Sequence, residues 1–277
     1  ECLVGSEMCI RDSIYYTKKG TGSPILLIHD TLPGASGYEW SKIEDELAID
    51  HTVYTVDLLG CGRSDKSSIT YTNFVYVQMI SDFIKKIIGQ KTDVIASGFS
   101  GSFVTMACHN EKELFNKIML VNPPSLTQLK QMPNRKDRLL KAALEIPIFG
   151  TLVYHMIVSR DNINNLFIEK MYYNPFHVDN QMADAYYEAA HKGGYYTRFL
   201  YSSLAAKYIN INICHALKAL DNSIYIVEGE TEPNGKAVTD DYCASNPAIE
   251  VSVLKETKHL PHVEAPEAFL EQVKIFF

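Results

Sequence analysis

Gly98-Phe99-Ser100-Gly101-Ser102 is the stretch of this sequence best suited to covalent chemistry. A serine at the apex of a tight strand-to-helix turn points its hydroxyl out of the sheet. Small residues two before and two after let the backbone pass closely. Gly98 and Ser102 meet that spacing around Ser100. The apolar run Asp93-Val94-Ile95-Ala96-Ser97 leads into the turn, and Phe103-Val104-Thr105-Met106-Ala107-Cys108 leads out of it as a helix. The first N–H groups of that helix aim at the point where an oxyanion would develop. A neutral hydroxyl needs a base within hydrogen-bond reach to act as a nucleophile. In isolation the same five residues also describe an ordinary Gly/Ser-rich turn, so the rest of the chain has to supply the context.

The elements that would carry this turn alternate along the chain. Ser13-Ile14-Tyr15-Tyr16-Thr17 alternates like a strand, and Ile25-Leu26-Leu27-Ile28-His29 is a continuous apolar run of the kind covered on both faces. The loop His29-Asp30-Thr31-Leu32-Pro33-Gly34 follows, then a helix through Leu47, the strand Thr52–Asp57, a Gly-punctuated loop, and a helix over 71–88. After the serine turn comes the buried strand Lys117–Val121, ended by Asn122-Pro123-Pro124. Strands alternating with helices predict an α/β class, a mostly parallel central sheet with helices on both faces. From 125 to 220 the pattern is helical and rich in Tyr, Phe and Met, which predicts a helical cap inserted late in the sheet. Strands return at Ser223–Val227 and Ile249–Leu254, and a closing helix runs from Phe269 to Phe277. The core is therefore expected from 13–124 and 221–277, with the cap at 125–220.

Composition narrows the function classes. The chain has 277 residues, 46% hydrophobic and 21% charged, with a formal charge of −7. That fits one sizeable globular domain, and no basic stripe points to nucleic acid. Residues 1–12 (ECLVGSEMCIRD) resemble a translated sequencing-library adapter. They are set aside as a scar of metagenomic assembly, with the native start missing. Without them 30 acidic residues stand against 25 basic. No apolar run approaches the length of a membrane span, and a cytoplasmic location is the expectation. Cys61, Cys108, Cys214 and Cys243 are scattered without a C-x-x-C pair, which argues for free thiols and against zinc.

The ordered landmarks give the chain a likeness. The strand ending at His29, Asp57-Leu58-Leu59-Gly60-Cys61-Gly62-Arg63-Ser64, the turn at Ser100, Gly229-Glu230-Thr231-Glu232-Pro233 and Lys258-His259-Leu260-Pro261-His262 occur in sequence. In this the chain resembles the α/β-hydrolase superfamily, serine hydrolases with a helical cap, over nearly all of its length after residue 12. The resemblance implies Ser100 as nucleophile, His259 as base with His262 as competitor, and Glu232 as the acid, with Glu230, Asp240 and Asp241 as alternatives. It implies an oxyanion hole from the N–H groups of Thr31 and Gly101, and a structural, loop-bonding role for His29. Phe99 and Tyr195 are the candidate substrate contacts. Four positions depart from the family pattern: Asp30 and Lys258 stand for the usual glycines, Ser102 for glycine and Glu232 for aspartate.

A serine at the turn excludes haloalkane dehalogenases and epoxide hydrolases, which need a carboxylate there. The expected activity is hydrolysis of an ester, or a related acyl bond, of a small or medium hydrophobic substrate through an acyl-enzyme. The alternatives are a non-catalytic, receptor-like ligand-binding member and a carbon–carbon bond hydrolase. No cofactor, no metal, no nucleic acid and no obligate protein partner is implied.

Overall fold

The computed structural model describes residues 12–277 and the backbone of residues 2–5. Eight strands form one sheet: β1 (Cys2–Gly5), β2 (Ser13–Lys19), β3 (Ser23–Ile28), β4 (His51–Val56), β5 (Thr92–Ser97), β6 (Phe115–Val121), β7 (Ile224–Gly229) and β8 (Glu250–Leu254). Their spatial order is β1-β2-β4-β3-β5-β6-β7-β8. From β4 to β8 every neighbour pair is parallel, while β1 and β2 join antiparallel at one edge. The central strands β3, β5 and β7 are buried along nearly their whole length, which is why they read as continuous apolar runs. Within the stretch set aside in the sequence, Cys2–Gly5 pairs with β2 through backbone, a ladder that accepts any sequence free of proline. Glu1 and 6–11 lie outside the described residues.

The helices are α1 (Glu44–Leu47), α2 (Asn73–Phe83), α3 (Ser100–Asn110), α4 (Leu126–Leu129), α5 (Arg135–Glu145), α6 (Phe149–Ile157), α7 (Arg160–Leu166), α8 (Asn180–His191), α9 (Thr197–Ala205), α10 (Cys214–Ala219), α11 (Gly235–Ser245), α12 (Pro261–Glu264) and α13 (Pro266–Phe276). One face of the sheet packs on Tyr76, Ile80, Phe103, Val104 and Tyr242, the other on Trp40, Leu47, Phe269 and Val273. A separate cluster of Tyr154, Phe167, Met171, Met182 and Tyr186 holds the cap together and meets Ala35, Leu260 and Val263 beneath it.

The insertion between β6 and β7 is not all cap. Leu126 and Leu129 of α4, and Ile209, Ile213 and Leu217 around α10, are buried in the same cluster as Phe103 and Val104. Both ends of the insertion thus complete the core layer, because their apolar faces fall against α3 and α11 rather than against other cap helices. Among the described residues no single helix is long and apolar enough to cross a membrane. The pair α5 and α6 reaches that length only across a 97° bend.

Candidate active site

Strand β5 ends at Ser97 and the chain turns at Gly98, whose φ is +53° and whose N–H donates to the Val121 carbonyl at 2.9 Å. Left-handed backbone at the apex marks the sharp turn, and glycine adopts it without steric cost. The apex is therefore two residues earlier than the sequence suggests. The frame Ala96-Ser97-Gly98-Phe99-Ser100 also has small residues two before and two after, with Gly98 in the nucleophile's place. Ser100 is the first residue of α3 and fully buried. Its Oγ donates to the His29 carbonyl at 2.5 Å and lies 3.4 Å from Thr31 Oγ1, and among the described residues no hydrogen bond joins it to His259. The Gly101 N–H donates to the Gly98 carbonyl at 3.2 Å, inside the first helical turn. Ser100 thus lies off the apex, and the Gly101 N–H is used inside the helix. The residue after the apex is Phe99, and its N–H takes the place expected for that of Gly101.

What stands at the centre is Asp30. Its Oδ1 accepts from the Thr31 N–H at 2.6 Å and from the Phe99 N–H at 2.8 Å. The Thr31 N–H, an oxyanion donor in the sequence expectation, is thus taken up by a carboxylate of the chain itself. Gly98 explains how the carboxylate fits: a Cβ on Gly98 would stand 2.2 Å from Asp30 Cγ, deep inside contact distance. Missing side chain and added carboxylate are complementary. The other oxygen, Oδ2, lies 3.6 Å from His259 Nε2.

His259 follows β8 and faces the same centre, and its Nδ1 lies 3.2 Å and 3.3 Å from the two Glu232 oxygens. Glu232 therefore reaches the ring despite its extra methylene. Glu230 turns away to accept from the Glu256 N–H, and Asp240 pairs with Lys236. Burial disfavours a charged ring at His259, but bonding to Asp30 and to Glu232, and their charges, outweigh it and raise its pKa to about 10. The ring stands between two acidic side chains that favour its charged form. His262 is wholly buried, 3.2 Å from Glu39 and stacked on Trp40, so it is the structural member of the pair. His29 bonds the loop: its Nε2 accepts from the Leu58 N–H, and its Nδ1 lies 2.6 Å from the Asp30 carbonyl.

A cavity of about 520 Å³ opens over this centre, between the strand ends and the cap. Leu32, Phe99, Pro123, Pro124, Leu166 and Met171 give it apolar walls, and its polar lining includes Asp30, Glu228, Glu232 and His259 with Gln128 and Lys170. Phe99 stands in its wall. Tyr195 does not line it: it is 53% exposed, with its ring against Tyr196. Glu228 is buried, its Oε2 has no hydrogen-bond partner among the described residues, and burial raises its carboxyl pKa. Sequence reasoning also missed Asn122. Its Nδ2 donates to the Lys258 and His259 carbonyls and its Oδ1 accepts from the Gly229 N–H, which pins the histidine loop to β7.

Three comparisons place these features. The sequence profile described as the alpha/beta hydrolase family matches residues 25–272. A 2-hydroxy-6-oxo-6-(2'-aminophenyl)hexa-2,4-dienoic acid hydrolase of Metapseudomonas resinovorans is 29% identical over 113 residues, 40% of this chain and 39% of that one. A soluble epoxide hydrolase of Corynebacterium sp. (strain C12) is 24% identical over 109 residues, 39% of this chain and 37% of that one. These matches span about two-fifths of each curated relative. Among solved structures, the epoxide hydrolase CorEH superposes with a TM-score of 0.78 at 17% identity, covering 96% of this chain and 95% of that one.

Proposed function

Because this chain belongs to the alpha/beta hydrolase family, we propose that it hydrolyses a substrate with an electrophilic saturated carbon, an epoxide or an alkyl halide, through the carboxylate of Asp30. One observation carries the reading: in Asp30, which lines the cavity, the Thr31 and Phe99 N–H groups both grip Oδ1, while Oδ2 makes neither of these bonds and lies 3.6 Å from His259 Nε2. A carboxylate held this way has one oxygen free to attack carbon, forming an alkyl ester and expelling the leaving group. With an epoxide, the electron pair of the broken C–O bond goes to the ring oxygen, which takes the proton of Glu228. Esterification removes the charge on Asp30, so the His259 imidazolium loses one partner and releases its proton, which returns to Glu228 through solvent. The neutral ring then takes a proton from the water that attacks Asp30 Cγ. The oxyanion on Oδ1 is held by the Thr31 and Phe99 N–H groups; its collapse breaks the ester C–O bond, the departing alkoxide takes the proton of the added hydroxyl, and the diol leaves with the carboxylate restored.

This reading reverses the exclusion drawn from Ser100, which rested on a serine at the apex. Ester cleavage by Ser100 and carbon–carbon cleavage both call for a hydroxyl there. Gly98 carries none, and Ser100 Oγ is bonded to the His29 carbonyl. The relative that hydrolyses epoxides adds support. A second reading, a ligand-binding member without turnover, draws on the same charge set: the paired His259 imidazolium leaves no free base in the resting site.

A single turnover of styrene oxide in oxygen-18 water, followed by peptide mass analysis, tests the proposal. Oxygen-18 is expected in Asp30, and Asp30→Asn is expected to lower turnover by roughly a thousandfold or more. Labelling of Ser100 by a fluorophosphonate would overturn it in favour of serine chemistry. Saturable binding with no turnover of epoxides, halides or esters would select the second reading.

A further inference from the structure

The outer corner of the cap displays apolar side chains next to unpaired basic ones, and we propose that this surface docks on an anionic phospholipid membrane. Helix α6 turns Phe149, Leu152 and Met156 outward at positions i, i+3 and i+7, so they form one stripe, and each is more than half exposed. The corner before it, where α5 and α6 meet at 97°, carries Ile146 and Ile148. Ile148 is 85% exposed and has a φ of +70°, a conformation a β-branched residue adopts only at a cost. Helix α5 adds Leu139 and Leu140, both exposed, on the face that also carries Arg135 and Lys136.

Charge selects the occupant. The whole chain is acidic, with a formal charge of −7, yet residues 130–141 hold five basic side chains and one acidic. The acidic one, Asp137, is engaged by Lys207 and by the Asn134 cap, and Lys141 is paired with Glu145. Arg135, Lys136 and Arg138 have no ion-pair partner among the described residues and point to solvent. Apolar residues that can enter the acyl boundary, flanked by basic residues at headgroup height, are the pattern of a protein that lies on a membrane without spanning it. In a symmetric contact with a second copy this face would meet itself and set the unpaired positive charges of the two copies against one another.

Co-sedimentation of the full chain with phosphatidylcholine vesicles, with and without phosphatidylserine, tests this. Binding is expected to the phosphatidylserine vesicles, to weaken as salt is raised, and to be far weaker on phosphatidylcholine alone. The triple substitution R135E/K136E/R138E is expected to lower affinity by about a hundredfold or more, three basic contacts being removed. F149S/L152S is expected to lower it too while leaving the circular dichroism spectrum unchanged, since both side chains are exposed. Absence of binding to phosphatidylserine vesicles, or equal binding to both compositions, would overturn the proposal. So would a dimer dissociated by F149S/L152S in a chain that ignores vesicles, which would assign the face to a second copy.

Discussion

Asp30 and Gly98 occupy one volume between them, and that makes their roles separable by exchange. In Gly98→Ser alone, the new Cβ meets the Asp30 carboxyl and the residue must hold a left-handed backbone, so a loss of about 1–3 kcal/mol is expected. In the double variant Gly98→Ser/Asp30→Gly the clash is gone, the Thr31 and Phe99 N–H groups are freed to bind an oxyanion, and a hydroxyl stands at the apex near His259. That variant is expected to react with a fluorophosphonate at residue 98 and to cleave an activated ester that the native chain leaves untouched. Labelling at Ser100 instead would mean that the apex is misassigned. The exchange also separates what the two residues do: one supplies room, the other charge.

Three elements that are distant in sequence converge through Asn122 at the end of β6. Its side chain holds two carbonyls of the histidine loop and the last N–H of β7, and its backbone is left-handed, with a φ of +43°. Gly229 is held to glycine by the same junction, since a Cβ there would stand 1.9 Å from the Lys258 carbonyl oxygen. Asn122→Ala removes three hydrogen bonds, one buried and two partly buried, and places a less tolerant residue in the left-handed region. A loss of about 2–4 kcal/mol in thermal unfolding is expected, along with weaker turnover as His259 drifts. A change below about 0.5 kcal/mol would show that the loop is held by its other ties. Those ties are the His259 N–H to the Met171 carbonyl and Glu264 on the Lys258 and Tyr173 N–H groups, which fasten the loop to the cap.

At the scale of the molecule, Asp30, Glu232 and His259 join the loops after β3, β7 and β8 into one charge set, so the whole fold feels its titration. The folded pKa of His259 is raised to about 10 from an ordinary 6.5. The stabilisation is therefore fully present below the unfolded value and is lost as pH rises through about 10. Melting temperature is expected to fall across that window in the native chain and to fall less in Glu232→Gln, where one carboxylate is gone. Parallel profiles for the two proteins would mean that the ring is neutral in the resting site. The cap joins this unit from above through Met171, while α4 and α10, though inserted with it, complete the core beneath.

The sequence alone determines the architecture, since buried parallel strands need continuous apolar runs and crossovers need helices between them. The resemblance carried by the ordered landmarks points to His259 and Glu232 but leaves His262, Glu230, Asp240 and Asp241 open, and it is the tertiary structure that sets the Glu232 carboxylate 3.2 Å from His259 Nδ1. What the sequence cannot decide is the register of the turn after β5. Ala96-Ser97-Gly98-Phe99-Ser100 and Gly98-Phe99-Ser100-Gly101-Ser102 have the same pattern of small residues, and local preference does not separate them. The one available signal was Asp30 in place of a glycine, which reads as a blemish until its partner is known. Only the tertiary structure brings that carboxylate, from a strand end 68 positions away in the chain, against the α-carbon of Gly98. Two backbone amides then take it as their acceptor, and the proposed carboxylate chemistry rests on that long-range pairing.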